Sequence, residues 1–497
     1  MFTILVPPVT CHKLDPHSGF PFIPHMAGYL ASAMYNAEYN IEIIDAFANN
    51  PNQATKYQDF MFLGMRVAEI INSISKDSDA IFIYARTIID YEIIKILISE
   101  IKNKLKKKVV LFENSQCVDA LALKPIYKDI LSIGADFVIF GEPENRINQI
   151  VKQLLSEEKI EIEGVAYKID DEIYYNGKIP YIKDLDSIHF PLWNKWNLEG
   201  YWKINFSHPP SKKNDKFVTL ITSRGCPFRC TFCVAPYINP TWRYRSAKNV
   251  VDEIEFFNKT MDINDFHISD FNPTIREGRF VEICNEIIKR NLKVTWKIAQ
   301  GTKIETLKNN DTIELFYKAG CRFLSFSPES GSAFVMKNII NKPFNYHRAL
   351  EILSKMKKVG IKTQACFVVG MPGELLRHRI ESLVYMIKLC YRGVDEVACY
   401  IITPVPGAKI FSDEKLSGYK SLSECSHSPT WRSDFFQLYM YRVIFYSLFI
   451  LIKIIFYPIS SISLFLRIFT KNFETKMEMS IFKKLKLIRL SLFAPKV

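Results

Sequence analysis

A repeated alternation of short apolar segments with amphipathic helical patterns, met twice in succession, constrains this chain more than any other feature. In residues 1–161 the strand candidates are Thr3 to Val6, Ile41 to Asp45, Ala80 to Tyr84, Val109 to Phe112 and Phe137 to Phe140, each followed by a helical pattern. Parallel strands need long crossovers and helices supply them, so the alternation implies a parallel sheet covered on both faces, a doubly wound α/β domain. From 216 to 407 the alternation runs six times, with strands beginning near Phe217, Asp265, Lys293, Arg322, Lys362 and Glu396. Helical patterns such as Ala247 to Asn258 and Tyr346 to Lys358 fill the gaps. Six such units make a partial (βα)6 barrel, with active groups expected at the carboxyl ends of its strands. Ligands of the first sheet are expected at the same end of its own strands.

Between these regions, 162–215 reads as a hairpin and linker: Gly164 to Gly177 turns at Asp170-Asp171, and Asp184 to Trp193 connects onward. A chain of 497 residues accommodates two or three domains. Its eleven cysteines are too sparse for a disulfide framework, and Met1 to Pro8 is strand-like rather than a secretory signal, so a reducing cytoplasm is expected.

The net charge of +13 is concentrated near the end, where Arg442 to Val497 carries ten Lys and Arg against two acids, a surplus of +8. The region 408–497 is otherwise apolar and helical, most of all from Phe436 to Phe469. Its uncharged run, Val443 to Ile452, would make about 15 Å of helix against a hydrocarbon core of about 30 Å. Lys453 would cost about 2.5 to 3.5 kcal/mol at a bilayer centre, and Pro458 breaks the pattern. The expectation is a helical tail on an anionic membrane surface or re-entrant in it, with Tyr446 and Tyr457 at the interface. The competing reading is a helical cap packed on the barrel or in a dimer contact. No nucleic acid is expected, since the basic surplus sits in an apolar tail rather than on a polar face.

The chemistry is concentrated in Thr222-Ser-Arg-Gly-Cys-Pro-Phe-Arg-Cys-Thr-Phe-Cys233, which follows the first barrel strand. Structural zinc needs four ligands, commonly in pairs, and no second pair follows Cys233. Three thiolates can hold a 4Fe-4S cluster and leave one iron open to a ligand that is not protein. Buried free thiols are the plain alternative.

This loop resembles the C-x3-C-x2-C loop of the radical S-adenosylmethionine superfamily. The resemblance implies that Cys226, Cys230 and Cys233 hold a 4Fe-4S cluster. Its unique iron binds S-adenosylmethionine, and reductive cleavage yields a 5'-deoxyadenosyl radical. The segments Phe22 to Ala33 and Gly134 to Glu144 resemble the first helix and last strand of the cobalamin-binding domain in one subgroup of that superfamily. The resemblance therefore implies three cofactors: the cluster, S-adenosylmethionine and cobalamin.

By the same resemblance, Phe232, Asp270, Glu329, Ser330, Gly370 and Gly373 fall on barrel motifs that meet S-adenosylmethionine or substrate, and Tyr84 and Glu142 on the cobalamin side. No catalytic side chain is assigned beyond the cluster loop. Asp15-Pro-His-Ser-Gly19 is one residue short of the D-x-H-x-x-G motif that supplies a cobalt ligand, so His17 is not expected to bind cobalt. The family's chemistry implies methylation of an unactivated carbon or phosphorus centre. Cyclisation, oxidation or rearrangement is the alternative, then RNA methylthiolation, then a non-catalytic cobalamin or redox sensor. Partners implied are a small-molecule or lipid-linked substrate and an electron donor such as flavodoxin or ferredoxin. Location would be cytoplasmic, with the tail peripheral on the inner face of the cytoplasmic membrane.

Overall fold

The computed structural model describes residues 1–156, 162–169 and 172–496. The expected turn at Asp170-Asp171 and the domain boundary at Glu161 lie outside the described residues. The first domain holds strands β1 (Phe2–Val6), β2 (Val9–His12), β3 (Ile41–Asp45), β4 (Ala54–Tyr57), β5 (Phe60–Leu63), β6 (Ala80–Ala85), β7 (Lys108–Glu113) and β8 (Phe137–Ile139). Its main sheet runs in the order β8, β7, β6, β1, β3, all parallel. The hairpin expected between the domains is instead part of this sheet. Its strands β9 (Val165–Ile169) and β10 (Glu172–Tyr175) add antiparallel to the outer edge of β8, for a sheet of seven strands. An uncovered β8 would leave a row of unpaired backbone groups, and a hairpin that follows it closely is placed to cover them.

A small antiparallel sheet, β2-β5-β4, is absent from the sequence expectations. Its strands are only four residues long, and β4 and β5 are joined through Gln58-Asp59 with Gln58 at φ 50°. Patterns of that length carry little periodicity.

The second domain holds β11 (Phe217–Leu220), the short pair β12 (Ser223–Arg224) and β13 (Arg243–Tyr244), then β14 (Asp265–Ile268), β15 (Thr295–Thr302), β16 (Cys321–Glu329), β17 (Lys362–Val369) and β18 (Glu396–Ile401). The six long strands form one parallel sheet in chain order, and each starts within two residues of its expected position. The barrel is open, and among the described residues β11 and β18 end the sheet without a further partner strand. Residues 15–23 of the first domain bridge them. Thr219 of β11 donates to the Ile23 carbonyl at 3.1 Å, and the His17 ring lies 4.5 Å from that of Tyr400 on β18.

Helix α1 (His25–Asn36) packs beside this bridge, and α2 (Leu376–Tyr391) follows β17. The tail forms α3 (Phe435–Phe456), α4 (Pro458–Thr470) and α5 (Lys476–Phe493). By length and composition α3 could cross a membrane, but 33% of its most apolar window is buried in the protein. Leu438, Phe445, Phe449 and Ile452 form that inner face. The Cys399 N–H of β18 donates to the Tyr446 hydroxyl at 3.0 Å, and Lys453 donates to the Val394 carbonyl at 2.9 Å. Lys453 thus has a protein partner where a bilayer would have offered none.

Helix α5 reaches both domains. Its Met477 N–H donates to Glu396 at 2.6 Å on the barrel side, while Lys483 donates to the Pro16 carbonyl at 3.0 Å and lies over the Phe20 ring at 3.6 Å. Arg442, Lys453 and Lys483, counted in the basic surplus, are buried on backbone carbonyls. The inner face of α3 is therefore a stability element. Leu438→Ala is expected to lower unfolding free energy by about 2–5 kcal/mol in urea titration, whereas Ile459→Ala, 83% exposed on α4, should stay within about 0.5 kcal/mol.

Candidate functional site

The three-thiol loop leaves the end of β11 and is held from several sides. Gly225 sits at φ +79°, and a Cβ there would lie 2.1 Å from the Thr241 carbonyl oxygen, so only glycine lets the loop pass. The Cys226 N–H donates to the Asn239 carbonyl at 3.0 Å, and the Thr231 N–H donates to the Ile340 carbonyl at 3.0 Å. Asp270, just past β14, accepts from the Thr222 N–H at 2.7 Å and from the Thr222 and Ser223 hydroxyls at 2.5 Å each. In the structure it braces the entry to the loop.

Cys226, Cys230 and Cys233 are half-buried free thiols. Burial raises all three pKa values, that of Cys230 to about 11, while Lys342 pulls Cys226 and Cys230 back down. Among the described residues no three His, Cys, Asp or Glu groups converge on a single metal ion. Three thiols spaced along one loop, feeling each other's charge and that of a nearby cation, fit the donor set of an iron–sulfur cluster. The half-buried Phe232 packs in the same apolar cluster as the three thiols.

Glu329 ends β16 with a left-handed φ of 55°, and its carboxylate pairs with Lys342 at 2.8 Å. Lys342 also donates to the Ser327 carbonyl at 2.8 Å. The Ser330 hydroxyl meets that of Ser382 at 3.0 Å. Gly370 and Gly373 follow β17 but face different surroundings. A Cβ on Gly370 would lie 2.6 Å from Leu438, and the Gly370 carbonyl accepts from Arg432 at 3.0 Å, so this glycine meets the tail. At Gly373 the nearest atom would be Ile339 Cδ1 at 3.8 Å, leaving room beside the backbone. Lys342 and Lys303, both near the thiols, were missed in the sequence because a single lysine in a loop carries no spacing signal.

At the carboxyl edge of the first sheet, Tyr84 is fully buried and stacks on Phe112 with ring centroids 5.2 Å apart. The Tyr84 hydroxyl, the Asn114 side-chain nitrogen and both polar atoms of Gln116 are buried without a hydrogen-bond partner among the described residues. Each such group costs about 1–3 kcal/mol unless something hydrogen-bonds it. Their concentration at one sheet edge fits a polar cofactor seated there. His25 joins this group through Nε2, 3.2 Å from the Asn114 oxygen. Glu142 differs, because Arg243, Asn239 and the Ile182 N–H already occupy its carboxylate. His17 lies against Tyr400 and 3.3 Å from the Tyr446 hydroxyl, in the barrel seam rather than with Tyr84 and Gln116.

Residues 220–386 match the family model of the Radical SAM superfamily. Over 256 residues the chain is 27% identical to cytidylyl-2-hydroxyethylphosphonate methyltransferase of Streptomyces wedmorensis, covering 50% of this chain and 47% of that one. Over 285 residues it is 30% identical to anaerobic magnesium-protoporphyrin IX monomethyl ester cyclase of Rubrivivax gelatinosus, covering 56% and 49%. The chain thus spans about half the length of these two relatives. The solved structure of the radical S-adenosylmethionine methyltransferase TsrM from Kitasatospora setae, with cobalamin and a [4Fe-4S] cluster bound, superposes with a TM-score of 0.62 at 14% identity. That match covers 82% of this chain and 74% of TsrM. The matched residues hold the three-thiol loop and, of the six long strands, β14 to β17, so this part of the chain carries a Radical SAM domain. The chain shares the fold of TsrM over most of its length, and in this chain a doubly wound sheet precedes the barrel.

Glu113, at the end of β7, allows a test of the first domain by pH. Burial raises its carboxyl from 4.5 to about 7, although the Leu123 and Gly141 N–H groups donate to it. The fold therefore favours the neutral acid. That contribution is complete below the unfolded value and is lost as pH rises from about 4.5 to 7, about 3 kcal/mol in all. Glu113→Gln is expected to flatten the pH dependence of Tm across this window, and a curve as steep as that of the parent would contradict the assignment.

Proposed function

We propose that this chain is a cobalamin-dependent radical S-adenosylmethionine enzyme that methylates an unactivated carbon or phosphorus centre. The observation that carries this reading is the three-thiol loop at the barrel mouth, joined to the first domain, whose strand ends hold unpaired buried polar atoms. When bound, a 4Fe-4S cluster supplies the electron that splits S-adenosylmethionine into a carbon radical, and cobalamin supplies the methyl group.

In this reading Cys226, Cys230 and Cys233 hold the cluster, and Asp270 keeps the loop entry in place through Thr222 and Ser223. Phe232, Glu329, Ser330 and Gly373 border the S-adenosylmethionine position, and the space beside Gly373 admits the ligand close to backbone. Tyr84, Asn114 and Gln116 face cobalamin with their unpaired polar atoms. His17 stays off the cobalt. A radical cyclase is the second reading, favoured by the 30% identity to a cyclase. An electron donor such as flavodoxin or ferredoxin completes the reaction.

Methyl transfer of this design uses S-adenosylmethionine twice. With substrate, anaerobically reconstituted enzyme should release both 5'-deoxyadenosine and S-adenosylhomocysteine. 5'-Deoxyadenosine with product and no S-adenosylhomocysteine would assign the cyclase or oxidase class instead. Replacing all three loop cysteines by alanine should abolish bound iron and sulfide and S-adenosylmethionine cleavage together.

The same proposal places the enzyme on the inner face of the cytoplasmic membrane, with a small-molecule or lipid-linked substrate. The tail helices leave Ile459, Leu466, Phe469, Leu485, Leu492 and Phe493 exposed, with Lys484 and Arg489 exposed among them. Apolar area and basic charge then act together on an anionic surface. Flotation with vesicles containing phosphatidylglycerol should weaken as salt rises and should be lost in Ile459→Ser, Phe469→Ser, Phe493→Ser protein. Equal flotation of the parent and this triple variant would remove the membrane from the reading.

A further inference from the structure

Glu142 lies just beyond the carboxyl end of β8 and is completely buried, yet the groups that share its carboxylate come from other segments. Arg243 donates to Oε1 through Nη2 and to Oε2 through Nη1, each at 2.7 Å. Asn239 donates to Oε1 at 3.2 Å, and the Ile182 N–H donates to Oε2 at 2.9 Å. An ionised carboxylate has about four acceptor sites. Four hydrogen bonds fill them and leave none for a cofactor.

Three residues of this cluster lead to the three-thiol loop. Arg243 also donates to the Asn239 side-chain oxygen at 2.7 Å, which orients that amide. The backbone carbonyl of Asn239 accepts the Cys226 N–H at 3.0 Å. Arg224, paired with Arg243 across β12 and β13, stands two residues before Cys226. Its guanidinium lies 3.8 Å from Glu142, 2.7 Å from Glu144 and 4.8 Å from the Tyr29 ring centroid. Two carboxylates of the first domain therefore hold two arginines of the second, on the strands that flank the loop.

We propose that Glu142 is a positioning residue for the cluster loop, setting the place of Cys226 from the neighbouring domain through Arg243 and Asn239. The inference rests on the reading of Cys226, Cys230 and Cys233 as cluster ligands, and it moves Glu142 from cofactor contact to loop control. Buried ion pairs add little net stability but penalise arrangements that leave a charge unpaired. Such a pair suits a joint where two cofactor-bearing domains must meet in one geometry. Separation of the domains would leave Arg224 and Arg243 without their carboxylates.

The test compares parent, Glu142→Gln and Arg243→Lys proteins after anaerobic reconstitution. Three quantities are read: bound iron, hydroxocobalamin binding by absorbance, and the EPR spectrum of the reduced cluster with and without S-adenosylmethionine. The expected result is parental hydroxocobalamin binding in both variants, together with an altered cluster spectrum and loss of its response to S-adenosylmethionine. Loss of hydroxocobalamin binding with a parental cluster spectrum would overturn the proposal and restore Glu142 as a cofactor contact. Parental behaviour in all three readouts would overturn it as well. If Glu142→Gln does not fold, Arg243→Lys keeps both charges, removes the two-pronged hydrogen bond, and is read in the same way. Absence of iron in the parent itself would instead remove the cluster reading on which the proposal stands.

Discussion

A parallel sheet of six strands that curls without closing has two free edges, and much of this molecule is arranged around covering them. Unpaired strand edges expose backbone donors and acceptors that something must satisfy. Here residues 15–23 of the first domain bridge β11 and β18, and α3 packs behind β18 through Tyr446, Phe445 and Phe449. Helix α5 then fastens the bridge itself by seating Lys483 on the Pro16 carbonyl. The first domain and the tail thus depend on the barrel, and the barrel is incomplete without them.

The same dependence explains the distribution of charge. A buried lysine or arginine has to find acceptors; Lys453 and Lys483 take backbone carbonyls where the tail meets the rest of the chain, and Arg442 takes that of His427 just ahead of the tail helices. The carboxylates Glu142 and Glu144 do the corresponding work between the two sheets, where their partners are Arg224 and Arg243. His17 follows the same logic with opposite outcome. Loss of solvent around this half-buried side chain pushes its imidazole down to about 3, so it is held neutral against Tyr400 and the Tyr446 hydroxyl.

Much of the architecture was legible in the sequence because its periodicities are long and regular. The six barrel strands are separated by helices whose apolar stripes repeat, and their starts were readable within two residues. The cysteine loop was legible for a different reason, since three thiols at fixed spacing with Gly225 in front restrict the ligand chemistry directly. The small sheet β2-β5-β4 was not legible, because four-residue strands show barely two periods of alternation. The place of the hairpin β9-β10 was not legible either. Its strand pattern is local, but its attachment to β8 depends on which sheet edge lies nearby.

By itself the sequence determined the two α/β repeats, the three candidate cluster ligands and the apolar, basic character of the tail. Those properties reside in local spacing and composition. Only the tertiary structure decided that Glu142 is saturated by Arg243, Asn239 and Ile182, that Gly370 faces Leu438 while Gly373 keeps open space, and that α3 has an inner face on the barrel. The contacts among these join segments about 40 or more residues apart along the chain. What a carboxylate or an apolar helix does depends on the donor or surface that folding brings to it, and no local pattern encodes that partner.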